Sequence, residues 1–443
     1  MKVDQLPRHS FAVRYLVLFG GETFSKLCVM AAFAYLARVY PPAQYGQIEV
    51  ALAATMFFVM SVEGGMGLYG ARIVAASPDR LPVIVPQIMT LRLLIGLPAF
   101  LLMMLVGIRS QTAGMAMLQV TSAAVFLTPF LTQWVFQGLR QMHWVAAGTA
   151  LRNFTFVAIV VLFIRQGSDL RLVGLAEVGG IAALALFNTA ILFGIFRLRV
   201  AGRGAVEGAR RVLSDVWFMG VGDFAWACLW YAPAIVLDWL GRHDPAEVAW
   251  ISAPVRVVVA LHTFVFLYFF NLLPNLAVEI AAGVEAWRAL VVRSLRASTW
   301  PALLLAACGA IVAPVAIPLV FGQSYSAAVR QFQIVIWVIP LTWFSGHFRF
   351  SLIAAGQQRR EFLISVATAV VTASGAAVLG WQWGSLGAAS ALLLGGIANT
   401  VIAVLVARAT LGSVPLLTSL APDWSAWRGL LAGRRRGPGA DRT

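Results

Sequence analysis

The chain has 443 residues, of which 60% are hydrophobic and 12% charged, with mean hydropathy +0.84. A soluble domain carries about 25% charged residues, so the composition excludes a water-soluble globular protein. The formal net charge of +15 invites a nucleic-acid partner. The placement of the cations argues against one, because they gather in short links between apolar stretches, where membrane topology puts them.

Apolar stretches of about 20 residues, enough for a helix to cross a bilayer's hydrocarbon core, recur along the chain. They predict helical spans at 15–37, 46–68, 83–107, 113–136, 144–164, 172–196, 216–240, 248–272, 298–320, 332–354, 362–381 and 386–407. Transmembrane strands would alternate over about ten residues, and these runs are longer and apolar on all sides. In the first span, Ala32-Phe33-Ala34 mimics a signal-peptide cleavage site. Glu22 and Lys26 interrupt the apolar region such a peptide needs, so the span is retained as a helix. The links are short and rich in Pro, Gly and polar residues, as in Tyr40-Pro41-Pro42, Ser77-Pro78-Asp79 and Gln166-Gly167-Ser168.

One set of links, with the two termini, holds 22 Lys and Arg; the other holds six, namely Arg38, Arg109, Arg165, Arg171, Arg242 and Arg330. That bias predicts both termini in the cytoplasm and an even number of spans. The largest inner links, 197–215 and 273–297, are too short for a separate soluble domain. Beyond about residue 410, Trp424, Trp427 and Arg434-Arg435-Arg436 fit either a helix at the inner headgroup layer or a solvated charged tail. Cys28, Cys228 and Cys308 are odd in number and lie in apolar stretches, which reads as packing rather than a disulfide frame or metal site. The turns Val39–Gly46 and Leu240–Glu247 both carry proline and lie six spans apart. That spacing suits two six-helix bundles in parallel repeat.

Five cations, Lys26, Arg92, Arg152, Arg256 and Arg349, sit inside these apolar stretches. Each costs about 2.5–3.5 kcal/mol to insert, so they are expected to face a polar cavity or a partner. Glu22 and Lys26 share a helical face. The pair reads either as self-neutralising or as a switchable phosphate ligand; the first reading suits Glu22 and the second Lys26. Glu63 and Asp223, with Glu22, are candidates for binding a coupling H+ or Na+, or for structural pairing with arginine. Pro254 is expected to distort the helix ahead of Arg256. His262 and His347 read as hydrogen-bonded packing residues, with no metal-like spacing between them. Gly64, Gly65 and Gly67 allow bending or close helix approach. Trp217, Trp226, Trp230, Trp239 and Trp250 include interfacial anchors.

Four regions together resemble a known family. Leu36-Ala37-Arg38 followed by Pro42-Ala43-Gln44-Tyr45-Gly46 forms one. Glu63-Gly64-Gly65-Met66-Gly67 with Arg72 forms the second, and Phe136-Gln137-Gly138-Leu139-Arg140-Gln141-Met142 the third. The fourth is Pro318-Leu319-Val320-Phe321-Gly322-Gln323-Ser324-Tyr325 with the later turn Ala354-Ala355-Gly356-Gln357-Gln358-Arg359. In order and spacing they resemble the oligosaccharide flippases, the polysaccharide-transporter branch of the MOP superfamily. Two departures stand out. Ile73 replaces the family's usual glutamate, and Ala232-Pro233-Ala234 occupies a region of helix 7 where members often carry an acid, Asp238 lying further out.

The resemblance implies an all-α polytopic membrane protein of about 12 transmembrane helices in two six-helix lobes. The lobes would be residues 1–197 and 215–409, with a linker at 198–214 and a basic tail at 410–443. It implies transfer of an undecaprenyl-pyrophosphate-linked oligosaccharide across the bacterial inner membrane, without covalent chemistry or a cofactor beyond a coupling H+ or Na+. Its partners would be the lipid-linked substrate, membrane lipids and polysaccharide assembly proteins. Because family helices 1, 2, 7 and 8 line the gap between lobes, Lys26 and Arg256 become the first candidates for the substrate diphosphate. Arg92, Arg152 and Arg349 either touch substrate too, or snorkel or pair within one lobe. Three other readings compete: a membrane-embedded glycan polymerase or ligase, a MOP-type multidrug exporter, and a peptidoglycan-precursor flippase. The enzyme would need acids on a sizeable outward loop, the exporter an acidic cavity, and the precursor flippase extra helices.

Overall fold

The computed structural model describes residues 11–109, 112–198 and 204–415. The side chains of residues 11–24, Glu22 included, lie outside the described residues, as does the tail with Trp424, Trp427 and Arg434 to Arg436. Among the described residues the regular structure is helical, with no strand. In hydrocarbon a backbone must satisfy its own polar groups, and the helix does so within one segment.

In chain order the helices are α1 (Phe11–Val39), α2 (Pro42–Glu63), α3 (Met66–Ala76), α4 (Leu81–Arg109), α5 (Ala113–Thr121), α6 (Ala123–Leu127), α7 (Gln133–Gly138) and α8 (Met142–Phe163). There follow α9 (Arg171–Thr189), α10 (Ala205–Leu240), α11 (Ala246–Ala282), α12 (Val284–Phe321), α13 (Ala328–Val335), α14 (Val338–Ala354) and α15 (Gln358–Leu411). Nine helical stretches of the described residues are long and apolar enough to cross a membrane. They coincide with ten of the expected spans, because α15 is a hairpin. Gly384 breaks it with φ 56° and ψ −133°. Across its two legs, Thr368 faces Asn399, Gly375 faces Ala391 and Leu379 faces Gly387. The other two expected spans, 15–37 and 332–354, fall on α1 and on α13 with α14.

The described part of the 198–214 linker is helical from Ala205, and 273–297 is helical except at Gly283 (φ 125°). At 1.5 Å per residue α10, α11 and α12 are each about 54–57 Å long, well beyond a hydrocarbon core of about 30 Å. Their polar ends, such as Glu207, Arg210 and Arg211, continue the helix past the span rather than looping. The helix α11 also runs on through Pro254.

Core packing is asymmetric between the two ends of the bundle. At the end carrying Pro41, one apolar cluster joins both halves of the chain, including Leu36, Ile48, Ala249, Ile251, Phe321 and Phe332. Polar contacts reinforce it. Arg38 donates to the carbonyls of Leu319 and Val320, and Trp250 Nε1 donates to Ser324 O at 3.3 Å. The two similar proline turns meet here: a Cβ on Gly46 would lie 3.1 Å from Val248 Cβ and 3.2 Å from the Pro245 carbonyl. Toward the opposite end the core separates. One cluster centres on Val85, Ile88, Trp134 and Phe136 with the start of α10, another on Trp287, Val291, Leu352 and Ile364. Large apolar side chains such as Leu186, Ile311 and Val315 are exposed on the outer faces, as lipid contact requires.

A glycine break separates α2 from α3. Gly64 (φ 50°) and Gly65 (φ 73°) both adopt the left-handed conformation that glycine takes without steric cost. Glu63 Oε1 accepts from Gly67 N at 3.0 Å, satisfying one free N–H at the start of α3. Gly220 of α10 packs onto this break, and a Cβ there would lie 2.7 Å from Gly64 Cα. The sequence reading of these glycines as sites of bending and close approach matches this geometry.

Candidate substrate cavity

A cavity of about 480 Å³ lies between α1, α2, α8, α9 and α11. Three of the five intramembrane cations line it: Lys26 from α1, Arg152 from α8 and Arg256 from α11. Lys26 Nζ donates to Thr263 Oγ1 at 2.8 Å, tying α1 to α11. Arg152 Nη2 contacts Glu177 Oε1 of α9 at 2.7 Å. Arg256 presents both arms of its fork to Glu49 of α2, with Nε to Oε1 at 2.8 Å and a second, shorter contact from Nη2 to Oε2. Its Cζ sits 3.3 Å from the centre of the Phe33 ring, a cation–π contact that fixes the guanidinium plane. Asn153 on the same wall donates to Ser25 Oγ at 2.8 Å.

Arg92 does not reach this cavity. It is fully buried, paired with Glu63, and its Nη1 donates to the carbonyls of Thr128 (3.2 Å) and Leu131 (3.0 Å). Those carbonyls lie at the break between α6 and α7, where irregular backbone in a membrane needs partners from the surrounding protein. Arg92 is therefore a structural staple, and Glu63 serves it as counter-ion.

Arg349 also lies apart. It pairs with Glu361, donates to Ser365 Oγ at 2.7 Å and Asn399 Oδ1 at 3.3 Å, and stacks on Trp226. It lines a second pocket of about 310 Å³ together with Asp223, His262 and several phenylalanines. His347 is buried and hydrogen-bonded at both ring nitrogens, to Ser294 and to the Trp343 carbonyl. His262 packs between Trp226 and Trp230. Cys308 is exposed, contrary to its reading as a packing residue, because its face of α12 points outward. Trp217 and Trp239 are likewise exposed, as anchors would be.

Sequence reasoning missed Glu49 and Glu177, the two carboxylates of the cavity wall. The signal was present, since both are acids inside expected spans, 46–68 and 172–196, and intramembrane acids need partners just as cations do.

This geometry defines a class: a multi-pass membrane protein with a polar, cation-lined cavity inside a helical bundle, the arrangement of a transporter. The family model described as polysaccharide biosynthesis protein matches residues 14–278, and the chain belongs to that family. A proposed O-antigen transporter of Escherichia coli (strain K12) is 23% identical over 191 residues, covering 39% of this chain and 44% of the relative. The match thus spans less than half of that relative's length. Among solved structures, an inward-facing multidrug resistance MATE family transporter of the MOP superfamily aligns with TM-score 0.74 at 12% identity. That alignment covers 87% of this chain and 94% of the transporter. The lipid II flippase MurJ, in an inward closed conformation, aligns with TM-score 0.71 at 12% identity, covering 91% and 89%. An outward-facing MATE transporter gives TM-score 0.58 at 13% identity, covering 89% and 93%. At these identities the structural likeness establishes the fold alone: an all-α multi-pass membrane fold like those of the MATE transporters and MurJ.

Proposed function

We propose that the chain is a flippase that moves an undecaprenyl-pyrophosphate-linked oligosaccharide from the inner to the outer leaflet of the bacterial inner membrane. The observation that carries this reading is the meeting of Lys26, Arg152 and Arg256, from three helices and both halves of the chain, on one cavity. A diphosphate needs cations in a polar hollow, and guanidinium forks pair with phosphate oxygens through two charge-assisted hydrogen bonds. The isoprenoid tail stays in lipid, so the cavity has only the polar head to hold. No covalent step is required.

The mechanism proposed is alternating access between two lobes, residues 1–197 and 215–409. The apolar cluster shared at the Pro41 end supports a pivot there; toward the other end the lobes meet where α10 packs on the Gly64 break and Asp215 accepts from Tyr69. The arginine bias of the links supports a cytoplasmic location for both termini. Asp223, on the second pocket, is the better candidate for a coupling H+ or Na+, since Glu63 is committed to Arg92. Polysaccharide assembly proteins are the expected partners. One observation favours a second reading, export of lipophilic cations: Asp223 shares its pocket with the rings of Trp226, Phe266 and Phe270.

The test is complementation of a strain lacking the chain, with surface glycan and drug resistance both measured. Lys26→Ala and Arg256→Ala should insert normally yet stop glycan export. Full export by both variants, or drug resistance without glycan export by the wild type, would contradict the proposal.

A further inference from the structure

We infer that Glu49 is a place-holder carboxylate that makes the cavity select a diphosphate over the phosphodiester lipids surrounding it; this rests on the diphosphate-lipid reading above. Any cationic cavity open to a bilayer faces a vast excess of monoanionic phosphodiester headgroups. In this chain the fork that suits a phosphate best is already filled. Both oxygens of Glu49 engage Arg256, and Glu49 is only 7% exposed. Phe33 supports the guanidinium from beneath, independently of the Glu49 contacts at its edge.

A second observation points to where the carboxylate would go. Tyr45 lies one turn before Glu49 on the same face of α2. Its hydroxyl already faces the Glu49 carboxylate, and those of Tyr325 and Ser252 are buried without a hydrogen-bond partner. The Tyr45 and Tyr325 rings meet edge to face at 5.9 Å, and both tyrosines lie within electrostatic reach of Glu49. Ser252 and Glu49 border the same small void of about 50 Å³ beside Arg256. A buried hydroxyl without a partner is costly, so the two idle donors of Tyr325 and Ser252, with Tyr45 beside them, mark an alternative berth for the carboxylate. Displaced from Arg256, Glu49 exchanges one set of partners for another without leaving the protein.

Selectivity follows from charge and valence. A phosphodiester brings one negative charge, the same as the carboxylate it must evict, and finds a partner already held in bidentate geometry. A diphosphate brings two charges and oxygens enough to engage Arg256 together with a second wall cation, Lys26 or Arg152. Discrimination is thus built by occupying the site against the weaker ligand.

The experiment uses the full chain in phosphatidylcholine nanodiscs and measures competition between undecaprenyl diphosphate and phosphatidylglycerol. The wild type should prefer the diphosphate by about tenfold or more. Glu49→Gln should raise phosphatidylglycerol binding until the preference falls to about twofold. Tyr45→Phe leaves the ion pair intact and so keeps the fold; it should weaken diphosphate binding about three- to tenfold. A folded Glu49→Gln protein with wild-type preference, or Tyr45→Phe with wild-type diphosphate affinity, would overturn the inference while leaving the flippase reading intact. Failure of the wild type to bind undecaprenyl diphosphate at all would instead overturn the proposed function, and the inference with it.

Discussion

Arg92 with Glu63 and Arg256 with Glu49 are pairs of the same chemistry, and both carboxylates belong to α2. Their surroundings differ. Arg92 has no exposed surface, and its Nη1 donates to two carbonyls at a helix break. Arg256 borders a cavity, rests on an aromatic ring, and joins α2 to a helix from the other half of the chain. The first pair holds one half of the molecule together; the second bridges the halves where a ligand can reach it. An arginine inside a membrane is thus not a ligand for substrate merely by being there. What counts is whether its partner can be exchanged.

Breaking the buried pair should give the largest effect on stability. Glu63→Ala leaves Arg92 as an uncompensated buried charge, which costs about 3–5 kcal/mol; thermal unfolding of purified protein checks it. Replacing both members, Arg92→Met with Glu63→Leu, removes that penalty. It still strands two carbonyls, a cost of about 1–3 kcal/mol, and should retain transport. The matching double replacement at the cavity, Arg256→Met with Glu49→Leu, should behave in the opposite way. It should fold, but lose about 2–5 kcal/mol of binding to undecaprenyl diphosphate, read by equilibrium titration.

Smaller effects sharpen the same contrast along α2. Gly220→Ala would push a methyl group against the Gly64 backbone, at 2.7–2.9 Å, just past Glu63. The expected cost is about 1–3 kcal/mol in thermal unfolding, with diphosphate affinity unchanged. Smallest should be Tyr69→Phe, which removes the 2.8 Å hydrogen bond to Asp215 between α3 and α10. That bond is exposed, so the loss should be about 0.5–1.5 kcal/mol or less.

The spans were legible because hydropathy over about 20 residues is a strong signal, and even the hairpin in α15 was foreshadowed as two separate apolar runs. The cations were legible as anomalies in those runs. Which of them share a cavity was not. These helices are apolar on all sides, so no periodic stripe marks an inward face. The direction each side chain points is set by breaks such as Gly64-Gly65 and the interrupted stretch from α5 to α7, whose tertiary partners lie far away in sequence. Arg92 and Arg256 look alike in a string of letters; Thr128 O and Phe33 tell them apart only in space. Glu49 and Glu177 stand out less than the cations in their apolar runs, although each buried cation implies a carboxylate nearby.

The most direct test is flipping of a fluorescent undecaprenyl-pyrophosphate-linked oligosaccharide in proteoliposomes. It would compare the cavity variants Lys26→Ala, Arg152→Ala and Arg256→Ala with the doubly replaced Arg92→Met, Glu63→Leu protein. The cavity variants should lose flipping and the double replacement should keep it. Flipping at the wild-type rate by all three cavity variants would contradict the account, as would its loss only in the double replacement.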